Sequence, residues 1–206
     1  MLKIEVPNMW DSLLPLPRSP LVTMVVVNYN RPYNLPVILN SLRCQTYQNF
    51  EVIVVHDGKN DENRKIVEDI GDDRFVFIET DERYGGFGYK SRMLGTELAK
   101  GEFIGHTNDD NYYVPVYFEA MLSKLLNEEA DIVYCNMVSS YNQWYPFETY
   151  PKIFGIDAGG WIAKTELARA TEWINTTATG DGIYFEDMMK KAKKVVKVNN
   201  YLFVHN

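Results

Sequence analysis

The feature that most narrows the folds open to this chain is an alternation, through its first half, of short apolar runs with amphipathic stretches. Residues 21–27 form a largely β-branched run of the kind buried on both faces of a parallel sheet, and it stops at Asn28-Tyr29-Asn30-Arg31-Pro32. Residues 35–42 then read as helix, 50–55 as a second buried strand, 61–70 as a polar helix and 75–79 as a third strand. After the loop 81–88 a helix is expected through Lys100, with Gly101 as the left-handed residue that closes it, followed by a strand at 102–106. Strand and helix repeated in this way specify an α/β fold built on a doubly wound, mainly parallel sheet. From Val114 the alternation loosens. A helix is expected at 116–126, a strand at 131–138, an aromatic segment at 141–150 and a Gly-rich stretch Asp157-Ala158-Gly159-Gly160-Trp161; a short helix near 165–173, a helix at about 184–193 and a last strand at 195–204 follow.

A chain of 206 residues can bury most of its apolar surface in one core. Residues 1–20, with Pro7, Pro15, Pro17 and Pro20, read as an extended lead-in, and 21–206 as a single domain. The net charge of −7 argues against a broad grip on nucleic acid or anionic lipid, so any bound phosphate must be held by a few cations or by a metal. The two cysteines, Cys44 and Cys135, imply no disulfide framework and fit a reducing compartment. No apolar run is long enough to span a bilayer and the first ten residues lack the marks of a secretory signal, so a cytoplasmic location is expected, with association at a membrane surface left open. Asn175-Thr176-Thr177 matches a glycosylation acceptor triplet, which a non-exported chain has no route to modify. The oligomeric state is not legible.

Doubly wound sheets bind ligands beyond the carboxyl ends of their strands, and those ends are polar here. In Asn108-Asp109-Asp110-Asn111 the adjacent carboxylates repel unless a cation neutralises them, and hard oxygen ligands suit Mg²⁺ or Mn²⁺. Asp109 and Asp110 therefore read as a metal bridge to a diphosphate, against the plainer reading of a helix N-cap. Asp57 ends the second strand where a carboxylate can accept the imide proton of a uracil, or simply form a turn ahead of Gly58. Lys90 and Arg92 follow Gly85, Gly86 and Gly88 and open a helix whose positive end suits a phosphate. Asp181, Glu186 and Asp187 lie where a polar loop enters a helix, and one of them can take the proton of an attacking hydroxyl. His205 closes the last strand and can add an imidazole to the metal site. His56 and His106 read as hydrogen-bonding residues at strand ends.

Taken together, the motifs resemble glycosyltransferase family 2, the inverting GT-A group, from about Pro20 onward. Residues 25–32 look like its opening strand and loop, Gln45-Thr46-Tyr47-Gln48-Asn49-Phe50 with the run to Val55 like its second strand, and Ala99-Lys100-Gly101-Glu102-Phe103-Ile104 like the approach to its metal motif. Asn108 departs from the usual acidic residue, but Thr107-Asn108-Asp109-Asp110-Asn111 is similar to the spore-coat branch. The resemblance implies a single GT-A domain with a nucleotide-binding half (21–113) and an acceptor-binding half (114–206). It implies nucleoside contacts from Asn28, Asn30 and Asp57, with Arg31 in the same loop, sets Asp109 and Asp110 at the two acidic positions around the metal and diphosphate, and matches Arg92 to the Arg of the family's helix. Gly160 and Trp161 are similar to an acceptor-side loop, and Glu186-Asp187 to the pair whose Asp is the base. Asp187 is preferred there, with Asp181 the competitor.

The expected reaction is transfer of a sugar from a nucleotide-diphosphate donor, with UDP the best guess, to a hydroxyl of a glycan or other acceptor, assisted by Mn²⁺ or Mg²⁺. Tyr141, Trp144 and Tyr145 could offer flat surfaces to sugar rings, as could Trp161. The rivals are a nucleotidyltransferase, which would want a basic Gly-rich loop after the first strand, and a sugar-nucleotide or glycan binding module without turnover.

Overall fold

The computed structural model describes residues 13–174 and 177–206. The first part of the proline-rich lead-in and the Asn175-Thr176 pair lie outside them. In chain order the elements are β1 (Val22–Asn28), α1 (Leu35–Arg43), β2 (Phe50–His56), α2 (Asp61–Glu68), β3 (Phe75–Glu79), α3 (Tyr89–Leu98), β4 (Phe103–Asn108), β5 (Tyr112–Tyr113), α4 (Tyr117–Asn127), β6 (Ile132–Ser139), β7 (Tyr145–Phe147), β8 (Trp161–Lys164), α5 (Thr165–Arg169), α6 (Gly180–Met189) and β9 (Val195–His205).

The strands form one nine-stranded sheet in the order β3-β2-β1-β4-β8-β6-β9-β5, with β7 paired to β6. β3, β2, β1 and β4 run parallel, which is the expected doubly wound half. β8 then lies antiparallel to both β4 and β6, and β9 runs parallel to β6. This arrangement decides where the site can be. The carboxyl ends of β1, β2, β4, β6 and β9 all point to one edge, and because β8 is reversed, the residues that precede it, 157–160, arrive at that same edge.

Side chains alternate across the sheet. Val22, Met24 and Val26 face a layer containing Leu35, Ile38, Phe118 and Met121, whereas Val25 and Ile104 face one containing Trp161, Tyr184 and Phe185. The sheet is thus covered on both faces, α1 and α4 on one and α6 on the other, which explains why β1 is buried along its whole length.

Two expectations change. Helix α3 ends at Leu98, with Ala99 already extended, so Gly101 is not its left-handed cap. Gly101 is required for a different reason: a Cβ there would lie 2.5 Å from Thr23 N and 2.7 Å from Phe103 O. Helix α6 begins at Gly180 rather than near residue 184, which brings Asp181 into its first turn. Strands β5 and β8 were not expected at all; each is short, and β8 is reversed within an otherwise parallel-looking pattern.

Because the atoms that a Gly101 methyl would strike are backbone, Gly101→Ala is expected to lower unfolding free energy by about 1–3 kcal/mol. Urea denaturation would show this as a lower midpoint at unchanged slope.

Candidate active site

A cleft of about 880 Å³ opens along the edge where the strand ends converge. At its centre are Asp109 and Asp110, delivered by the carboxyl end of β4. Asp109 is buried and its Oδ2 accepts from Asn28 Nδ2 at 2.7 Å and from Tyr29 N at 3.2 Å, while Oδ1 accepts from Arg31 Nη1 at 3.0 Å. Arg31 also pairs with Asp110. Burial pushes the Asp109 carboxyl up, against the pull of Arg31 and Asn28. Burial disfavours the Arg31 cation too, but Asp109 and Asp110 outweigh that and hold it above its ordinary value.

Asn28 is itself fully buried, and its Oδ1 accepts from Asn63 Nδ2 at 2.7 Å. Its amide is occupied at both ends, so it holds Asp109 in place and is not free to contact a nucleoside. Asn30 is likewise absent from the cleft lining: its backbone N donates to His56 Nε2 at 3.1 Å and its Oδ1 accepts from Asn60 at 2.9 Å. His56 closes this turn through Nδ1, 2.7 Å from Gly58 O, as a strand-end hydrogen-bonding residue should.

Asp57 does line the cleft. Its two oxygens accept from Tyr84 N and Gly85 N, both at 2.8 Å, so it pins the loop that leads into α3. Each oxygen keeps a second lone pair, which leaves room for a base contact. At the rim Arg83, from the loop 81–88 and outside every motif, lies over the Tyr29 ring at 4.2 Å.

Arg92 and Lys90 part company. Two residues on a helix are separated by about 200°, and Arg92 is the one turned into the cleft. It is buried, donates to Phe87 O at 2.8 Å and to Asn108 Oδ1 at 2.5 Å, and lies 5.1 Å from the Trp173 ring centre. Lys90 instead stands over the Tyr84 ring at 3.8 Å and lines a separate hollow with Glu79, Asp81 and Glu97. The phosphate role expected of Lys90 therefore has no support in its position.

The turn before β8 and the start of α6 bring a second acidic group to the cleft. Asp181, on the first turn of α6, accepts from Ala158 N at 3.3 Å and hydrogen-bonds with Asp157. Burial, with the Asp157 carboxylate adding to it against the pull of Arg92, raises Asp181 to about 6. Asp157, the more buried of the two, moves the other way: burial would raise it, but the hydrogen bond and charge of His205, 3.1 Å away, bring it below its ordinary value. Burial disfavours the His205 cation, yet Asp157 holds that imidazole above its ordinary value.

Asp187 and Glu186 do not reach this part of the cleft. Asp187, six residues beyond Asp181 and about 240° round the helix, pairs with Lys190 at 2.7 Å, and Glu186 accepts from Ile153 N at 2.9 Å. Neither lines the cleft, so the preference for Asp187 over Asp181 reverses. Trp161 is fully buried, stacked on Tyr184 at 5.8 Å and 5.1 Å from His106, and cannot support a sugar. Gly160 is buried beneath Phe203. The exposed aromatics lining the cleft include Tyr29, Phe87, Tyr141 and Phe154, with Trp144 and Tyr145 close to Tyr141 in sequence; Trp144 and Phe154 hold φ of 63° and 66°, in a region such residues seldom enter.

Among the described residues, no three acidic, histidine or cysteine side chains form a ready metal cluster. Three side-chain atoms of cleft-lining residues nonetheless are buried and unpartnered, Arg92 Nε, Asp110 Oδ1 and His205 Nδ1, and of these the last two can offer a lone pair. A carboxylate and an imidazole, completed by diphosphate oxygens and water, are a donor set that suits Mg²⁺ or Mn²⁺, which dehydrate reluctantly and rely on few protein ligands.

A covered α/β sheet with an acidic strand-end pair and a further carboxyl in one cleft has the layout of a GT-A fold. The Glycosyl transferase family 2 profile matches residues 23–189, and the chain belongs to that family. EpsH of Bacillus subtilis, a protein named as a glycosyltransferase, is 36% identical over 125 residues, covering 60% of this chain and 35% of EpsH. Glycosyltransferase GlyG of Streptococcus pneumoniae is 25% identical over 91% of this chain and 71% of its own length. TarS of Staphylococcus aureus superposes with a TM-score of 0.79 at 18% identity, over 90% of this chain and 36% of TarS. A mannosyltransferase from Pyrobaculum calidifontis, solved with GDP-Man and Mn²⁺, gives 0.75 at 18% identity over 94% of this chain and 59% of its own. The chain thus spans about a third of EpsH and of TarS. No helix among the described residues is long and apolar enough to cross a membrane.

The elevated Asp181 has a consequence for stability. A carboxyl raised from 3.8 to about 6 contributes fully below its ordinary value, and that contribution is lost as pH rises through about 6. In urea melts across pH, the stability of wild type relative to Asp181→Asn is expected to fall between about pH 4 and pH 7. A difference that grows with pH would contradict the carboxyl pair.

Proposed function

We propose that this chain carries the reaction centre of an inverting glycosyltransferase that moves a sugar from a nucleotide-diphosphate donor, best read as a UDP-sugar, to a hydroxyl of a glycan or other acceptor. The observation that carries the reading is the gathering of unlike acidic groups in one cleft: Asp109 and Asp110 answered by Arg31, and with them Asp181, half-buried and raised to about 6. A TarS structure with UDP-GlcNAc, the mannosyltransferase with GDP-Man and Mn²⁺, and an Escherichia coli relative named as a UDP-Glc-dependent glucosyltransferase all support a nucleotide-sugar donor.

In this reading Asp57 and Tyr29 meet the base at the rim. Arg31 and Arg92 supply positive charge for the diphosphate, whose negative charge grows as the glycosidic bond breaks. Asp110 and His205 would hold Mn²⁺ or Mg²⁺, which as a Lewis acid stabilises the leaving diphosphate. Asp181 accepts the proton of the attacking hydroxyl. A carboxyl with a value near 6 is a stronger base than an ordinary one and is largely ionised at neutral pH, which suits the role. Attack on the face of the sugar away from the leaving diphosphate would give inversion at the anomeric carbon. Tyr141 and Phe154 offer the acceptor flat apolar surfaces at the mouth.

UDP titrated calorimetrically is expected to bind with Mn²⁺, to lose most affinity in EDTA and to lose it in Asp110→Ala. Asp181→Asn should retain that binding while turnover, including donor hydrolysis, falls by about 10²–10⁴-fold. In the wild type the rate should rise with pH through about 6. Retained turnover in Asp181→Asn would move the base elsewhere, and failure of UDP, TDP and GDP to bind under every condition would count against the whole reading.

A further inference from the structure

Asp157 is an enclosed carboxylate on the turn before β8, and beyond its effect on Asp181 it has no role so far. Its Oδ1 accepts from Gly159 N at 2.8 Å, and its Oδ2 lies 3.1 Å from His205 Nε2. The turn itself is held firmly. Gly159 O accepts from the hydroxyls of Tyr113 and Tyr117 at 3.0 and 3.1 Å, and a Cβ at Gly159 would come within 2.9 Å of Asn111, Tyr113 and Phe203 side-chain atoms. His205 is equally constrained, paired in register with Ser139 on β6 and with its ring 5.2 Å from that of Tyr141.

A neutral imidazole has one N–H and one lone pair, and the hydrogen bond made by one nitrogen decides the state of the other. An ionised carboxylate can only accept, so Nε2 facing Asp157 must carry the hydrogen and the lone pair falls on Nδ1. That Nδ1 is buried and without a partner, in a residue about nine-tenths buried. In the same cleft Asp110 Oδ1 is also buried and unpartnered.

We propose that Asp157 is a positioning residue that holds His205 in the Nε2–H tautomer, so that Nδ1, together with Asp110 Oδ1, is the protein's donor pair for the divalent cation. The inference rests on the sugar-nucleotide reading above and deepens it, because it makes the reversed strand β8 part of the cation site. A carboxylate behind a metal-binding histidine fixes the ring and raises its basicity, and losing one costs about 10–100-fold in metal affinity.

The first test needs no variant. Long-range ¹H–¹⁵N spectra of the metal-free chain in alkaline buffer, where only three histidines need assigning, report which His205 nitrogen carries hydrogen. Hydrogen on Nε2 is expected, and hydrogen on Nδ1 overturns the proposal. Manganese binding in the presence of UDP, followed by electron paramagnetic resonance, is then expected to weaken by about 10–100-fold in Asp157→Ala. Asp157→Asn, whose amide oxygen still accepts from Nε2, should fall between Asp157→Ala and wild type. Loss of manganese in His205→Ala with none in Asp157→Ala overturns the positioning role and leaves the sugar-nucleotide reading standing. Absence of any manganese-dependent UDP binding by the wild type overturns both.

Discussion

The cleft depends on keeping one carboxylate, Asp109, where water scarcely reaches it. An uncompensated buried charge costs several kcal/mol, and Asp109 is compensated from three directions by the Asn28 amide, the Tyr29 N–H and the Arg31 guanidinium. All three donors come from the end of β1 and the loop after it. They are within reach because β1 and β4 are parallel neighbours with Val27 opposite Asn108, so Asn28 and Asp109 emerge side by side. An antiparallel pairing would have placed them at opposite edges. Asn63 of α2 then fixes the Asn28 side chain, so the acidic centre is tied to two strands and a helix rather than to a free loop.

The second acidic group depends on the reversal of β8. In a wholly parallel sheet the segment before a strand lies at the edge away from the ligand; here β8 runs against its neighbours and carries Asp157 to the ligand edge. There buried Asp157 and half-buried Asp181 share a corner with His205 at one side only. The partner with the imidazole moves down and the one without it moves up. Two like groups pushed apart by unequal surroundings are the usual way a protein assigns ionised and proton-accepting roles to neighbouring carboxyls.

Much of this was legible in the sequence and some was not, for physical reasons. The parallel half announced itself because strands buried on both faces read as continuous apolar runs, and the strand-end polar clusters marked Asp57, Asp109 and Asp110 directly. What failed was helical phase. Gly180 and Gly182 have poor helix propensity, so α6 was expected to start late, and the carboxylates near its middle looked like its functional end. Once α6 begins at Gly180, Asp181 sits in the first turn and Asp187 on another face. The same issue separates Arg92 from Lys90. Trp161 misled for a different reason, since an aromatic next to glycines suits an exposed platform as well as a packed layer, and only the stack with Tyr184 decides between them. Asp157 carried a faint signal as an acidic residue ahead of Ala158-Gly159-Gly160. That signal meant no more than a turn until β8 placed it beside His205.

Asn108, the position where the sequence departs from an acidic residue, acquires a role from these contacts. Its Oδ1 orients Arg92 at 2.5 Å without cancelling the guanidinium charge, as a carboxylate at that distance would. Arg92 pulls both Asp157 and Asp181 downward, so its undiminished charge limits how far burial can raise the proposed base. Asn108 thus holds the arginine whose charge lowers both Asp157 and Asp181. The departure is better understood as moving positive charge from the β4 end toward the centre of the cleft than as weakening the acidic motif. Asp109 and Asp110 retain Arg31 as their own cation, so the two acidic groups are balanced by separate arginines.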